Sequence, residues 1–182
     1  MQRVAVVGCI GSGKSTVARA LGNALGIEVF HLDGLWWQLG RYRITGPATV
    51  AARTMEPGRF RQLEMEIATR PTWIIDGDAT NKDVWLSRAD TVVFLDLPRW
   101  LCAWRVLKRR GRGSPEYPVG VRGSIRWTLL LLRWVWTTWP SRRRPSLIRA
   151  IAEHAAGAQT VHLRSRREVR VFLDGVRAPP GP

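Results

Sequence analysis

Cysteine, lysine and acidic residues are all scarce in this sequence of 182 residues. Cys9 and Cys102 are the only cysteines, which excludes a disulfide framework and predicts a reducing, cytoplasmic setting. The run at residues 3–7 reads as a strand, and no signal-peptide cleavage pattern follows it. Long apolar runs are missing too. Within or beside the most apolar stretch, residues 124–139, the longest uncharged run is residues 134–141, far short of the roughly 20 residues needed to span a bilayer. A transmembrane helix is therefore not expected there. Acids number 14 against 29 basic residues, giving a net charge of +15, and only Lys14, Lys82 and Lys108 among the basic residues are lysine.

What is present is unevenly placed. Residues 1–98 carry 11 basic and 10 acidic side chains, a net of +1, while residues 99–182 carry 18 and 4, a net of +14. A hydrophobic fraction of 45% excludes a wholly disordered chain, and the length suits one domain with a substantial core. Short β-branched runs at 3–7, 27–32, 72–75, 91–95 and 160–163 alternate with helical patterns at 15–25, 59–69, 98–110, 124–139, 145–156 and 168–176. That alternation predicts an α/β fold, a five-stranded parallel sheet covered on both faces. Pro140 is expected to stop the helix before it, and residues 35–70 show no good strand. Residues 1–176 read as one domain, with a glycine- and proline-rich loop at 111–123 inside a lid region at 111–144, and 177–182 as a disordered tail.

Residues 8–15, GCIGSGKS, match G-x-x-x-x-G-K-[ST] between a strand and a helix. Gly8, Gly11 and Gly13 allow backbone N–H groups, with that of Ser12, to converge on phosphate oxygens without Cβ clashes. The helix N-terminus adds a favourable dipole. Lys14 is expected at the β- and γ-phosphates of ATP and the Ser15 hydroxyl on Mg²⁺. Asp33, Asp76 and Asp96 follow strands two, three and four, where ligands gather in open parallel sheets. Asp76 ends a hydrophobic run, the pattern that supports the metal. Asp33 stands where an acceptor hydroxyl would lie, either orienting it or taking its proton. Both also fit simple caps, and Asp96 is read as a cap or turn residue. Arg105, Arg109 and Arg112 share one helical face and suit charge neutralisation on a transferring phosphoryl group. Arg142, Arg143 and Arg144 are placed to join them if the lid closes.

Together these pieces carry a resemblance. VVGCIGSGKST at 6–16, VFHLD at 29–33, WIIDG at 73–77, ADTVVFLDLPRWLC at 89–102, RVLKR at 105–109 and LRSRREV at 163–169 resemble the adenylate-kinase-like P-loop kinases. Within them they look like the bacterial DNA topology modulation proteins. The resemblance implies a three-layer P-loop NTPase fold with helical acceptor-binding (35–70) and lid segments, ATP as donor and Mg²⁺ as cofactor. It also implies that Thr16 joins the nucleotide loop and that the turn carrying Arg166 borders the adenine. One departure falls at Asp78-Ala79, where the family has Asn-Tyr.

The expected activity is an ATP-dependent phosphotransferase acting on a small hydroxyl- or phosphate-bearing acceptor. The alternative is a nucleotide-gated nucleic-acid-binding regulator of DNA topology using the basic half, although no helix-turn-helix, zinc or RNA-recognition signature accompanies it. Residues 124–144, a tryptophan-rich helix followed by three arginines, also suit peripheral membrane contact. The simpler expectation is that this helix buries its Trp and Leu side chains on neighbouring helices.

Overall fold

The computed structural model describes residues 1–39, 42–43, 52–53, 58–77, 81–109 and 125–177. Its centre is a five-stranded, all-parallel sheet ordered β2-β5-β1-β6-β7. The strands are β1 (Arg3–Gly8), β2 (Val29–His31), β5 (Trp73–Asp76), β6 (Thr91–Leu95) and β7 (Gln159–Leu163). Alternation along β1 sorts the layers. Val4 and Val6 pack with Val17, Ala18 and Leu21 of α1 (Lys14–Leu25), and α8 (Arg166–Arg177) covers the same face. Ala5 and Val7 turn the other way, into a larger core with Trp73, Trp85, Leu101 and Trp139. The result is three layers, as parallel strands buried on both faces require. Trp73, Trp85 and Trp139 are fully buried, and each contributes roughly 4–6 kcal/mol of transfer free energy as an upper estimate.

Several elements differ from the sequence expectation. The second strand ends at His31, and α2 (Leu32–Leu39) begins at once, so Asp33 sits in a first helical turn rather than in a loop. Residues 35–70 include a two-stranded antiparallel pair, β3 (Tyr42–Arg43) with β4 (Ala52–Arg53), before α3 (Arg59–Thr69). A two-residue strand is too short for an alternation pattern to register. The short α4 (Lys82–Leu86) buries Val84, Trp85 and Leu86 and was not foreseen either.

Pro140 does not end the helix before it. After α5 (Arg99–Lys108), the chain runs from α6 (Ile125–Arg133) through a wide-turned π-helical segment (Trp134–Arg143) straight into α7 (Arg144–His154). A proline clashes with the carbonyl four residues back in a tight α-turn. The wider turn relieves that clash, and the Arg144 N–H reaches five residues back, to the Trp139 carbonyl. The Trp136 carbonyl, four residues before Pro140, accepts instead from Arg99 Nη1 at 3.4 Å. Side-chain hydroxyls add to this: Thr137 Oγ1 donates to the Arg133 carbonyl at 2.8 Å and Ser141 Oγ to that of Thr137 at 2.6 Å. The 111–123 loop, Arg112 and the Asp78-Ala79 turn lie outside the described residues, as does all but one residue of the expected 177–182 tail. Of that tail, only Arg177 is described, as the last residue of α8.

Candidate active site at the phosphate loop

β1 delivers the glycine loop to the start of α1, whose first residue is Lys14. Gly13 precedes it with φ 98°, a left-handed conformation that glycine adopts without penalty. At Gly11 the reason is packing as well: φ is +79°, and a Cβ there would strike the backbone carbonyl of Cys102 on α5. The loop therefore lies directly against α5. Internal bonds hold it, Ser12 N–H to the Cys9 carbonyl at 3.1 Å and Thr16 N–H to that of Gly13 at 3.0 Å. Lys14 Nζ reaches over it to the Cys9 carbonyl at 3.2 Å.

From α5, Arg105 Nη1 donates to the Ser12 carbonyl at 2.6 Å and the Gly11 carbonyl at 3.4 Å. A guanidinium is thus anchored on the outer curve of the phosphate loop. Burial, together with the nearby Arg166 charge, lowers the Arg105 pKa from its ordinary value. Cations crowded in this way favour an anion among them.

Above the loop opens a cleft of about 640 Å³. Its walls bring together Gly11, Ser12, Gly13, Lys14, Ser15, Thr16, Asp33, Arg105, Arg109 and Arg166. Gly8 and Asp76, both buried, do not reach its wall. Arg166 is the first residue of α8, and the same helix adds Val169, Arg170, Leu173, Asp174 and Arg177 to the wall. Those positions fall at i, i+3, i+4, i+7, i+8 and i+11. Helical spacing in the sequence thus carried the signal for a second cleft-lining face, which sequence reading passed over. Arg19 of α1 was missed as well. Seven cationic side chains in this wall (Lys14, Arg19, Arg105, Arg109, Arg166, Arg170, Arg177) face two acids, Asp33 and Asp174.

Asp76 ends β5, the strand adjacent to β1, paired in register with Val6 and with His31 of β2. Its Oδ2 lies 2.8 Å from His31 Nδ1, and its Oδ1 is buried without a hydrogen-bond partner. A buried carboxylate oxygen with an unused lone pair is where a hard cation or its bound water fits, and the Ser15 hydroxyl supplies a second oxygen donor of the right kind. The residues present are thus compatible with Mg²⁺.

Asp96, at the end of β6, has a different environment. Arg144 grips it through Nε to Oδ1 at 2.9 Å and Nη2 to Oδ2 at 2.7 Å, and His162 Nε2 sits 2.9 Å from Oδ2. His162 in turn stacks on Phe94 with ring centroids 4.7 Å apart. Burial pushes the Asp96 carboxyl upward, but Arg144 and His162 together hold it below its ordinary range. Arg144 is therefore committed to a strand end, which corrects the expectation that it converges on phosphates with Arg142 and Arg143.

No protein-family model matches the chain, and no curated protein matches it significantly. Solved structures do. Shikimate kinase from Acinetobacter baumannii, in complex with shikimate, aligns over 97% of this chain and 90% of its own at TM-score 0.54 and 19% identity. The enzyme of the same name from Bacteroides thetaiotaomicron aligns over 97% and 96% at TM-score 0.50 and 16% identity. Deoxyadenosine kinase from M. mycoides aligns over 95% and 97% at TM-score 0.52 and 13% identity. The fold is that of the P-loop kinases.

Proposed function

We propose that this protein is an ATP-dependent phosphotransferase acting on a small acceptor that bears a hydroxyl or a phosphate. The observation that carries the reading is the glycine loop at the mouth of α1, with Lys14 and Ser15 at its helical end, opening into a cleft walled by seven cations. Loop N–H groups and the α1 dipole bind the phosphate chain, and Lys14 neutralises charge at the transferring group. Arg105 is already pinned to the loop carbonyls, so its remaining N–H groups are pre-oriented for charge that spreads over phosphoryl oxygens. Arg109, one turn beyond Arg105 at the C-terminal cap of α5, adds to this, and Arg166 at the start of α8 flanks the nucleotide. Asp33, fixed in the first turn of α2 and lining the same cleft, orients the acceptor and receives its proton. Ser15 and Asp76 would hold Mg²⁺, which would supply charge neutralisation to the phosphate chain.

The finer likeness of the sequence pieces to DNA topology modulation proteins supports the same nucleotide chemistry: the loop is shared by many families, and the later pieces, among them the Asp76 strand and the Arg105–Arg109 stretch, are the more specific ones. The test is ADP release with ATP-Mg²⁺ against a panel of nucleoside monophosphates and small hydroxy acids. At least one acceptor should stimulate turnover, and Lys14→Ala should abolish it. If no acceptor stimulates release, and the background rate of Lys14→Ala equals that of the unaltered protein, the reading fails.

A further inference from the structure

The expected burial of the tryptophan-rich helix is only partly met. Leu131, Val135 and Trp139 enter the core, but the opposite side of the helix does not. Ile125, Leu129 and Trp136 stand 54%, 59% and 49% exposed, at i, i+4 and i+11, with Leu132 between them. Beside this row, Trp100 and Trp104 of α5 are 64% and 59% exposed, with Leu107 on the same stripe. The two rows enclose an apolar groove of about 560 Å³ lined by Trp100, Ala103, Trp104, Leu107, Leu132 and Trp136. A continuous apolar face of this kind marks an interaction surface.

Its charge selects the occupant. Arg99 and Lys108 flank the α5 row, and Arg126 and Arg133 flank the α6 row. Arg99 lies over the Trp136 ring, 5.2 Å from its centroid. No Asp or Glu occurs in α5, α6 or the π-helical segment. We propose that this face seats the protein on an anionic phospholipid bilayer, its Trp and Leu side chains at the headgroup–acyl boundary and its arginines among the headgroup phosphates. Tryptophan is amphipathic and favours that boundary, and each nearby cation adds attraction to anionic lipid. Among the described residues no helix is long and apolar enough to cross a membrane, so the contact lies on the bilayer rather than through it. A second copy of the chain fits worse, since a symmetric contact sets each arginine row against its own kind. A nucleic acid would use the cations and stack on tryptophan, but would leave Ile125, Leu107 and Leu129 without a role.

The test is co-sedimentation of the whole chain, without nucleotide, with vesicles of phosphatidylcholine alone or with about one third phosphatidylglycerol. Binding should be at least about tenfold tighter to the anionic vesicles and should weaken as salt rises. Trp100→Gln with Trp104→Gln, both exposed, should weaken it about tenfold or more while the thermal midpoint holds. Arg126→Gln with Arg133→Gln should remove the preference for anionic lipid. Equal binding to both vesicles, no binding, or variants that bind like the unaltered protein would overturn the proposal. So would a concentration-dependent dimer that the tryptophan variant abolishes, or a single-stranded oligonucleotide that binds in preference to vesicles through the same tryptophans.

Discussion

Asp76 ends β5 and Asp96 follows β6, the two strands that flank β1; Asp76 is level with Val6, and Asp96 lies one residue past the Leu95–Gly8 pair. Asp96 has both oxygens occupied, by a two-pronged Arg144 and by His162. Asp76 has one oxygen beside His31 and one buried and bare. A saturated carboxylate ties elements together. One left with an unused lone pair, next to a phosphate loop, is arranged for something that arrives. The same residue type at the same kind of strand end thus serves two ends, and its partners tell which.

The contrast breaks most sharply at Asp76. Asp76→Asn keeps the shape and the contact to His31 but removes the charge. We expect a loss of about 10²–10³-fold in the acceptor-stimulated rate, with the thermal midpoint nearly unchanged. Single-turnover ADP release and a melting curve check both halves. A variant that melts early yet turns over normally would make Asp76 a structural residue like Asp96.

Asp96→Asn should give the reverse. It leaves Arg144 without its charged partner, but that guanidinium is 41% exposed and regains water, so the expected loss is about 2 kcal/mol by urea titration. The rate should stay within a few-fold. The folded protein holds the Asp96 carboxyl below its ordinary value of 3.8, so its stabilisation is full above that pH and is lost as pH falls through the lower folded value. The stability gap between Asp96→Asn and the unaltered protein should therefore close below about pH 4.

A third carboxylate sharpens the comparison by its opposite sign. Glu64 of α3 is completely buried, and its Oε2 accepts from Asn81 Nδ2 at 2.6 Å. Burial pushes its pKa up from 4.5 to about 7. A raised acid binds its proton more tightly when folded, so stability is greatest below about pH 4.5 and falls as pH rises to about 7. Glu64→Gln should flatten that fall and be the more stable protein at pH 8, on the order of 1–2 kcal/mol. A thermal-shift series from pH 4 to pH 8 measures it. The smallest effect is expected at His31→Gln. The amide still donates to Asp76 Oδ2, so a rate change of a few-fold is expected, without loss of stability.

Much of this was legible in the sequence. The glycine loop declares itself because its spacing is imposed by phosphate geometry, and the five strands because burial on both faces demands unbroken β-branched runs. Asp76 and Asp33 stand out for the same reason, following such runs directly. What could not be read depends on long-range partners. Nothing near Asp96 announces Arg144, 48 residues away, so a capping role was the local inference. The α8 wall was readable in principle, since Arg166, Arg170 and Arg177 keep helical spacing, but one helix face does not say which neighbour it meets. Pro140 misled because proline's local rule assumes α-geometry, and the chain answered with a wider turn.

That wider turn sets the phase of the whole helical rod. Leu147 lies eighteen positions after Leu129, five complete turns at 3.6 residues each, so a regular α-helix would point both side chains the same way. Instead Leu129 is 59% exposed and Leu147 is fully buried. The π-helical stretch advances each residue through a smaller angle, and over its ten residues the accumulated lag approaches half a revolution. The segment works as a gearbox between two outputs: upstream the helix side that carries Leu129 faces outward, and downstream the side that carries Leu147 locks into the core. Deleting a single residue there would swing the two faces by roughly a quarter of a turn.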